Sequence, residues 1–145
     1  MVQASFGESS VPGISILGDG GSAYQPGVCN IGPAEIARRR RAGHVGLGAT
    51  VSLWGGLLAV GAPPLARLLV ALPAALAASG YLQARLRFCA GFGSRGVFNF
   101  GPLGQTEQVQ DNAAHARDRA RANQIGLASL AIGLVVGALA VVLPL

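Results

Sequence analysis

The chain has 145 residues, enough for one ordinary domain, and 51% of them are hydrophobic while only 12% are charged. Charged residues make up about a quarter of a typical soluble domain, so this composition favours a membrane protein. The net charge is +5 and every cation is an arginine. These arginines flank apolar runs and match no nucleic-acid-binding motif, so we expect no nucleic-acid partner.

The N-terminal part of the chain changes character near residue 29. Residues 1–28 are rich in glycine, serine and proline and lack a basic start and a long apolar core, so they predict an extended tail rather than a signal peptide. Residues 29–43 predict a short basic helix, with Pro33 at its first position and Glu35 in its first turn. It carries four consecutive arginines that we expect to anchor on anionic lipid headgroups: Arg38, Arg39, Arg40 and Arg41.

Residues 44–84 predict a transmembrane hairpin. Residues 45–62 contain no charge and reach the lower length limit for a spanning helix. The second apolar run, residues 65–83, contains Arg67 near its start, where the long side chain can reach the interface. It also contains Pro73, which a spanning helix tolerates when neighbouring groups satisfy the freed carbonyl.

The remaining third of the chain predicts a loop and a long helix. Residues 85–104 form a loop rich in glycine, with four aromatic anchors for the membrane interface, the hairpin or a partner: Phe88, Phe92, Phe98 and Phe100. Residues 105–145 predict one helix of about forty residues, roughly 60 Å long. Its last part, residues 125–145, carries no charge and predicts a third span, while its first part extends into the cytoplasm.

Arginine placement predicts the orientation of these three spans. Arg38 to Arg41 precede the first span, and Arg85 and Arg87 follow the second, whereas Arg67 is alone between the two. The positive-inside rule then places the N-terminus in the cytoplasm and the C-terminus outside. The sequence therefore predicts an all-α, multi-pass protein of the bacterial inner membrane.

Small residues recur at four-residue intervals in the first and third spans. Such a stripe lets helix backbones approach closely. We therefore predict helix packing through the following residues: Gly48, Ser52, Gly56, Ser129, Gly133 and Gly137.

Few residues are suited to catalysis or ligand binding. Cys29 and Cys89 are predicted near the cytoplasmic face, where a structural disulfide is not expected, and are the candidates for thiol or metal chemistry. No CxxC or HxxxH spacing accompanies them. His44, at the start of the first span, is the candidate ligand for a haem or pigment. We expect no enzyme activity and no resident cofactor.

Residues 29–93 resemble a known family. In NIGPAEIARRRRAG the residues Asn30, Gly32, Glu35, Arg39 and Gly43, followed by a hairpin and FCAGFG, look like the small two-helix inner-membrane domain of unknown function often found beside rhodanese domains. The chain departs from that pattern where Ile36 replaces an arginine and Ala90 replaces a proline. The resemblance implies a membrane hairpin and, more loosely, sulfur handling through the cysteines.

Three functions fit these features. The preferred one is a non-catalytic accessory subunit of a larger inner-membrane complex of the respiratory, photosynthetic or transport type, with integral-membrane proteins and anionic lipid as partners. The second is a thiol or sulfur-handling membrane module that uses Cys29 and Cys89. The third is a small homo-oligomeric channel or transporter that associates through the GxxxG of Gly133 and Gly137.

Overall fold

The computed structural model describes residues 24–143. The predicted tail, residues 1–28, lies outside this range except for residues 24–28. The described part is mostly helical, as predicted, and carries in addition one two-stranded sheet. Its helices are α1 (Pro33–Ala59), α2 (Ala71–Leu86), α3 (Ala90–Arg95), α4 (Asn112–Val142) and a 3-10 helix (Pro64–Val70), and its strands are β1 (Val97–Phe98) and β2 (Glu107–Gln108).

Helix α1 joins the predicted basic helix and the first apolar run into one element of 27 residues. Pro33 starts it, since the fixed φ of proline suits the first helical position and its missing N–H has no partner there anyway. The helix does not extend back to residue 29, because Ile31 forms a parallel bridge with Asn99. It stops before Gly61, whose φ of +65° leaves the helical region.

The second apolar run is a 3-10 helix followed by α2. Pro73 thus lies in the first turn of α2 and not in the middle of a long helix, where it would remove an i−4 hydrogen bond. Arg67, in the 3-10 helix, donates from Nη1 to the carbonyl oxygen of Leu143 at 3.3 Å. The end of the hairpin that contains Arg67 is therefore also the end at which α4 finishes.

Residues 85–111 are more regular than predicted, and they shorten the last helix. β1 pairs antiparallel with β2 in the register Val97↔Gln108 and Phe98↔Glu107. This pairing draws residues 105–110 away from the helix that they were predicted to join. Asp111 then caps α4, because its carboxylate accepts hydrogen bonds from the backbone N–H groups of Ala113 and Ala114. α4 has 31 residues, so it is about 46 Å long and not 60 Å.

Helix α2 packs between α1 and α4, and glycine sets both distances. A Cβ on Gly46 of α1 would lie 2.7 Å from the backbone N of Ala77, and one on Gly80 of α2 would lie 2.5 Å from the backbone N of Gly43. On the other side, a Cβ on Gly133 of α4 would lie 2.6 Å from the carbonyl oxygen of Ala71. Backbone therefore meets backbone at both interfaces.

The predicted small-residue stripe of α1 is not the stripe that packs. Gly48, Ser52 and Gly56 are exposed, and a Cβ on either glycine would meet no atom within 4 Å. The face that meets α2 instead carries Gly43, Gly46 and Thr50, which are buried. The stripe of α4 does pack inside the molecule, since Ser129, Gly133 and Gly137 are all buried and the two glycines meet Ala71 and Ala75.

Large apolar side chains lie on the outside of these helices. The buried positions of α1, α2 and α4 are mainly alanine, glycine and small polar residues. The exposed large apolar residues of these helices lie in two parts of the chain, residues 45–76 and residues 127–142. Two helical segments, Pro64–Leu86 and Asn112–Val142, are long and apolar enough to cross a membrane. The first apolar run, in α1, is not among them, because glycine, His44 and small polar residues dilute its apolar residues.

Candidate functional site

The residues that carry the family resemblance come together at the arginine-rich end of the hairpin. Asn30 is fully buried, and its side-chain amide pairs with the backbone of Cys89 in both directions. The Cys89 N–H donates to Asn30 Oδ1 at 2.7 Å, and Asn30 Nδ2 donates to the Cys89 carbonyl oxygen at 3.1 Å. Residues 59 positions apart in the chain are thereby held in one fixed geometry.

Arg39 connects this pair to α1. Its Nη2 donates to the Cys89 thiol sulfur at 3.0 Å and lies 3.7 Å from a carboxylate oxygen of Glu35. The guanidinium group also lies over the ring of Phe92, 5.9 Å from its centroid. We call this group of residues, with Asn30, the thiol–arginine cluster. The contact with the guanidinium fixes the position of the Cys89 sulfur relative to α1.

Glu35 is the unusual member of the cluster. It is 1% exposed, and neither carboxylate oxygen has a hydrogen-bond partner among residues 24–143. It forms ion pairs with Arg38 at 3.8 Å and Arg39 at 3.7 Å, and it lies in the first turn of α1, where the helix dipole favours a negative charge. A buried carboxylate without hydrogen bonds is costly. The Glu35 carboxylate thereby holds the Arg39 guanidinium next to the Cys89 thiol.

A glycine also lets the chain enter the cluster. A Cβ on Gly32 would lie 2.9 Å from the Phe100 Cα, so only glycine allows residues 30–32 to run beside residues 99–100. The Gly32 N–H donates to the Asn99 carbonyl oxygen at 2.8 Å, and the Asn99 N–H donates to the Asn30 carbonyl oxygen at 3.0 Å. This short ladder fixes the position of Asn30.

The two cysteines have different surroundings. Both are buried and they do not form a disulfide with each other. The Cys29 thiol donates to the Ile31 carbonyl oxygen at 3.8 Å, while Cys89 belongs to the thiol–arginine cluster. Within residues 24–143, no group of three histidine, cysteine or carboxylate side chains is arranged to hold a metal ion. His44 contacts Tyr81, its Nδ1 lying 2.7 Å from the phenol oxygen.

The four phenylalanines divide between interior and surface. Phe88 and Phe92 are buried, Phe88 against Ala122 and Ile125 of α4 and Phe92 against Ile31 and Cys89. These two side chains therefore have no surface to offer a partner, because the connecting segment folds back onto the helices. Phe98 and Phe100 are half-buried; Phe98 stacks on Tyr24 with ring centroids 4.7 Å apart.

Asp118 of α4 is an important residue that the sequence analysis did not identify. Its side chain is fully buried. Its carboxylate accepts from the Tyr24 phenol and from the Gly27 N–H, both at 2.7 Å. Burial, and then this carboxylate, raise the pKa of the Tyr24 phenol above its usual range. No local signal marks this contact, because its partners lie more than 90 residues away.

The remaining arginine anchors lie around the same end of the molecule. Arg38, Arg40, Arg41, Arg85 and Arg87 are exposed, whereas Arg39 is half-buried in the cluster. Beside Arg39, α1 and α2 leave an open groove of about 450 Å³. The polar end of the hairpin therefore combines surface cations, a buried thiol and a groove.

Comparison with models of known protein families, with characterised proteins and with solved structures finds no match to this chain.

Proposed function

We propose that this chain is a multi-pass protein of the bacterial inner membrane and a non-catalytic accessory subunit of a larger complex there. One observation carries the proposal: small side chains are inside the bundle, and large apolar ones are outside. Water-soluble proteins bury their large apolar side chains, because that burial drives folding. The hydrophobic effect does not drive helices together in lipid, so they pack through small residues. Their leucine and valine side chains then face the acyl chains.

We further propose that α1 supplies a third span. Val45, Leu47, Val51 and Val60 are exposed on this helix or at its end, at the same level as the exposed leucines of α2. α1 also packs backbone to backbone on α2, so the two insert together or not at all. The arginines around the thiol–arginine cluster would then remain in the cytoplasm, with the C-terminus outside.

The outer face of α1 is the surface that we assign to a larger subunit. Gly48, Ser52 and Gly56 form a shallow strip on which the backbone of another helix can approach closely. The corresponding strip of α4 is already occupied within the molecule. This occupation also weakens the channel alternative, since Gly133 and Gly137 pack on Ala71 and Ala75 and are not free to join two copies.

Purification of the tagged full chain from its native membrane in a mild detergent tests the proposal. We expect larger membrane proteins to accompany it at constant stoichiometry, identified by mass spectrometry. Gly56→Leu should displace them, whereas the matched change Gly126→Leu, on an exposed face of α4, should not. A chain that is recovered without detergent, or one that purifies alone from the membrane, would contradict the proposal.

The geometry of Cys89 supports a second candidate, the sulfur-handling module. Its sulfur accepts a hydrogen bond from Arg39 Nη2 at 3.0 Å, so a basic side chain lies directly beside the only thiol of the cluster. The thiolate would attack the outer sulfur of a persulfide donor, form a new S–S bond and release the donor as its thiolate. Incubation with a small persulfide, followed by intact-mass measurement, should add one sulfur to the wild type and to Cys29→Ser but none to Cys89→Ser. Equal labelling of all three proteins would exclude this candidate.

A further inference from the structure

The groove between α1 and α2 begins beside the thiol–arginine cluster and runs toward the middle of the hairpin. The two helices are antiparallel here, since Gly43 lies against Tyr81 while Gly46, a turn further on, lies against Ala77. Ten residues spaced along both helices line the groove, over about 15 Å at 1.5 Å per residue. They are Arg39, Ala42, Val45, Gly46 and Ala49 of α1, and Pro73, Leu76, Ser79, Gly80 and Gln83 of α2. We call this the α1–α2 groove.

The groove is polar at one end and apolar at the other. Arg39 and Gln83 line the end near the cluster, Ser79 lies at the level of Val45 in the middle, and Ala49, Leu76 and Pro73 line the opposite end. Ser79 Oγ accepts a hydrogen bond from Gln83 Nε2 at 2.8 Å, so its own hydrogen can point elsewhere. The groove therefore has a cation at one end, a hydroxyl in its middle and only apolar groups beyond it.

The charge around the entrance is positive. Arg38, Arg40 and Arg41 are exposed on the same turns of α1 as Arg39. Glu35 is the nearby carboxylate, and it is buried behind Arg38 and Arg39 rather than exposed at the entrance. An anionic headgroup at the groove would thus contact Arg39 and lie in the positive field of its three exposed neighbours, each arginine near a membrane surface contributing roughly 1 kcal/mol.

We propose that the α1–α2 groove binds one anionic phospholipid, with its phosphate at Arg39 and one acyl chain along Val45, Ala49 and Leu76. The proposal rests on the membrane insertion proposed above. A membrane-spanning protein helix is a poorer occupant of this open groove, because it would place apolar side chains against Arg39.

Native mass spectrometry of the full chain in detergent tests this inference. The protein is titrated with dioleoyl phosphatidylglycerol or with dioleoyl phosphatidylcholine, which has the same chains but no net charge. We expect one phosphatidylglycerol to remain bound and the zwitterionic lipid to bind at least about fivefold more weakly, a ratio that corresponds to about 1 kcal/mol. Equal retention of the two lipids would overturn the proposal.

Two pairs of variants locate the bound lipid. Ala49→Phe fills the groove at an exposed position and should abolish the preference for phosphatidylglycerol, whereas Ala131→Phe, exposed on α4, should leave it intact. Arg39→Gln should lower retention about fivefold more than Arg40→Gln, which removes the same charge outside the groove. Unchanged binding by Ala49→Phe refutes the groove even if Arg39→Gln fails to fold. Failure of membrane insertion itself would appear separately, as recovery of the chain without detergent.

Discussion

Gly46 and Gly48 offer an exacting test of how α1 packs. They lie two residues apart in one helix, yet a Cβ on Gly46 would lie 2.7 Å from the backbone N and 2.8 Å from the Cα of Ala77, while a Cβ on Gly48 would meet nothing within 4 Å. Ordinary contacts of this kind are near 3.5 to 4 Å, so Gly46→Ala must move α2 away by roughly 1 Å. Backbone atoms cannot turn aside as a flexible side chain can.

The two alanine variants should therefore change stability in opposite directions. Alanine favours the helix over glycine by about 0.5 to 1 kcal/mol, and Gly48→Ala should gain that amount. Gly46→Ala has the same gain in helix propensity, but overpacking against α2 costs about 1 to 3 kcal/mol. The free energy of unfolding of this variant should therefore fall by roughly 1 to 2 kcal/mol. For a domain of about 120 residues this loss corresponds to an unfolding temperature lower by about 3 to 8 °C.

Thermal unfolding of the detergent-purified chain, followed by size-exclusion chromatography of the soluble fraction, measures this difference. Gly48→Ala serves as the matched control, because it makes the same chemical change on the same helix. If Gly46→Ala unfolds at or above the temperature of Gly48→Ala, the contact between α1 and α2 described above is incorrect. If Gly48→Ala alone is destabilised, the stripe of Gly48, Ser52 and Gly56 packs inside the molecule after all.

Three further outcomes follow from other contacts. Gly133→Ala should lower the unfolding temperature and Gly126→Ala should not, because only the former would crowd backbone atoms of the hairpin. Asn30→Ala leaves the buried N–H and carbonyl of Cys89 without their partner, so we expect a loss of about 2 to 4 kcal/mol in unfolding free energy, measured by thermal unfolding. The raised pKa of Tyr24 means that the folded state favours the neutral phenol. The contribution of Tyr24 to the free energy of unfolding is therefore complete below about pH 10 and is lost as the pH rises further. Tyr24→Phe should flatten that alkaline loss of stability in a pH series.

The helical character of the chain could be predicted from its apolar runs, and so could the start of α1 at Pro33. Glu35 and Arg39 lie four residues apart on one face of α1, so their proximity could be predicted from helical spacing. The approach of Asn30 and Arg39 to Cys89 could not be predicted from local spacing. The contact between Arg39 and the Cys89 thiol depends instead on the path that the chain takes after the end of α2.

The features that could not be predicted share a physical cause. Glycine occurs on two faces of α1, so the sequence alone does not decide whether Gly46 or Gly48 meets α2; the register of the partner helix decides it. β1 and β2 have two residues each, too few to show an alternating pattern. Asp118 looks like an exposed helical residue because its partners, Tyr24 and Gly27, lie near the other end of the chain.

The contacts of Tyr24, Gly27 and Asn30 also constrain the order in which the protein is made. Their partners lie 94, 91 and 59 residues later in the chain, so they cannot form until the segments that follow the hairpin have left the ribosome. Pairings of such long range form late, because the intervening loop must close first. Under the membrane insertion proposed above, the hairpin would insert while its arginine-rich end is still open, and synthesis of α4 would complete the contacts at that end.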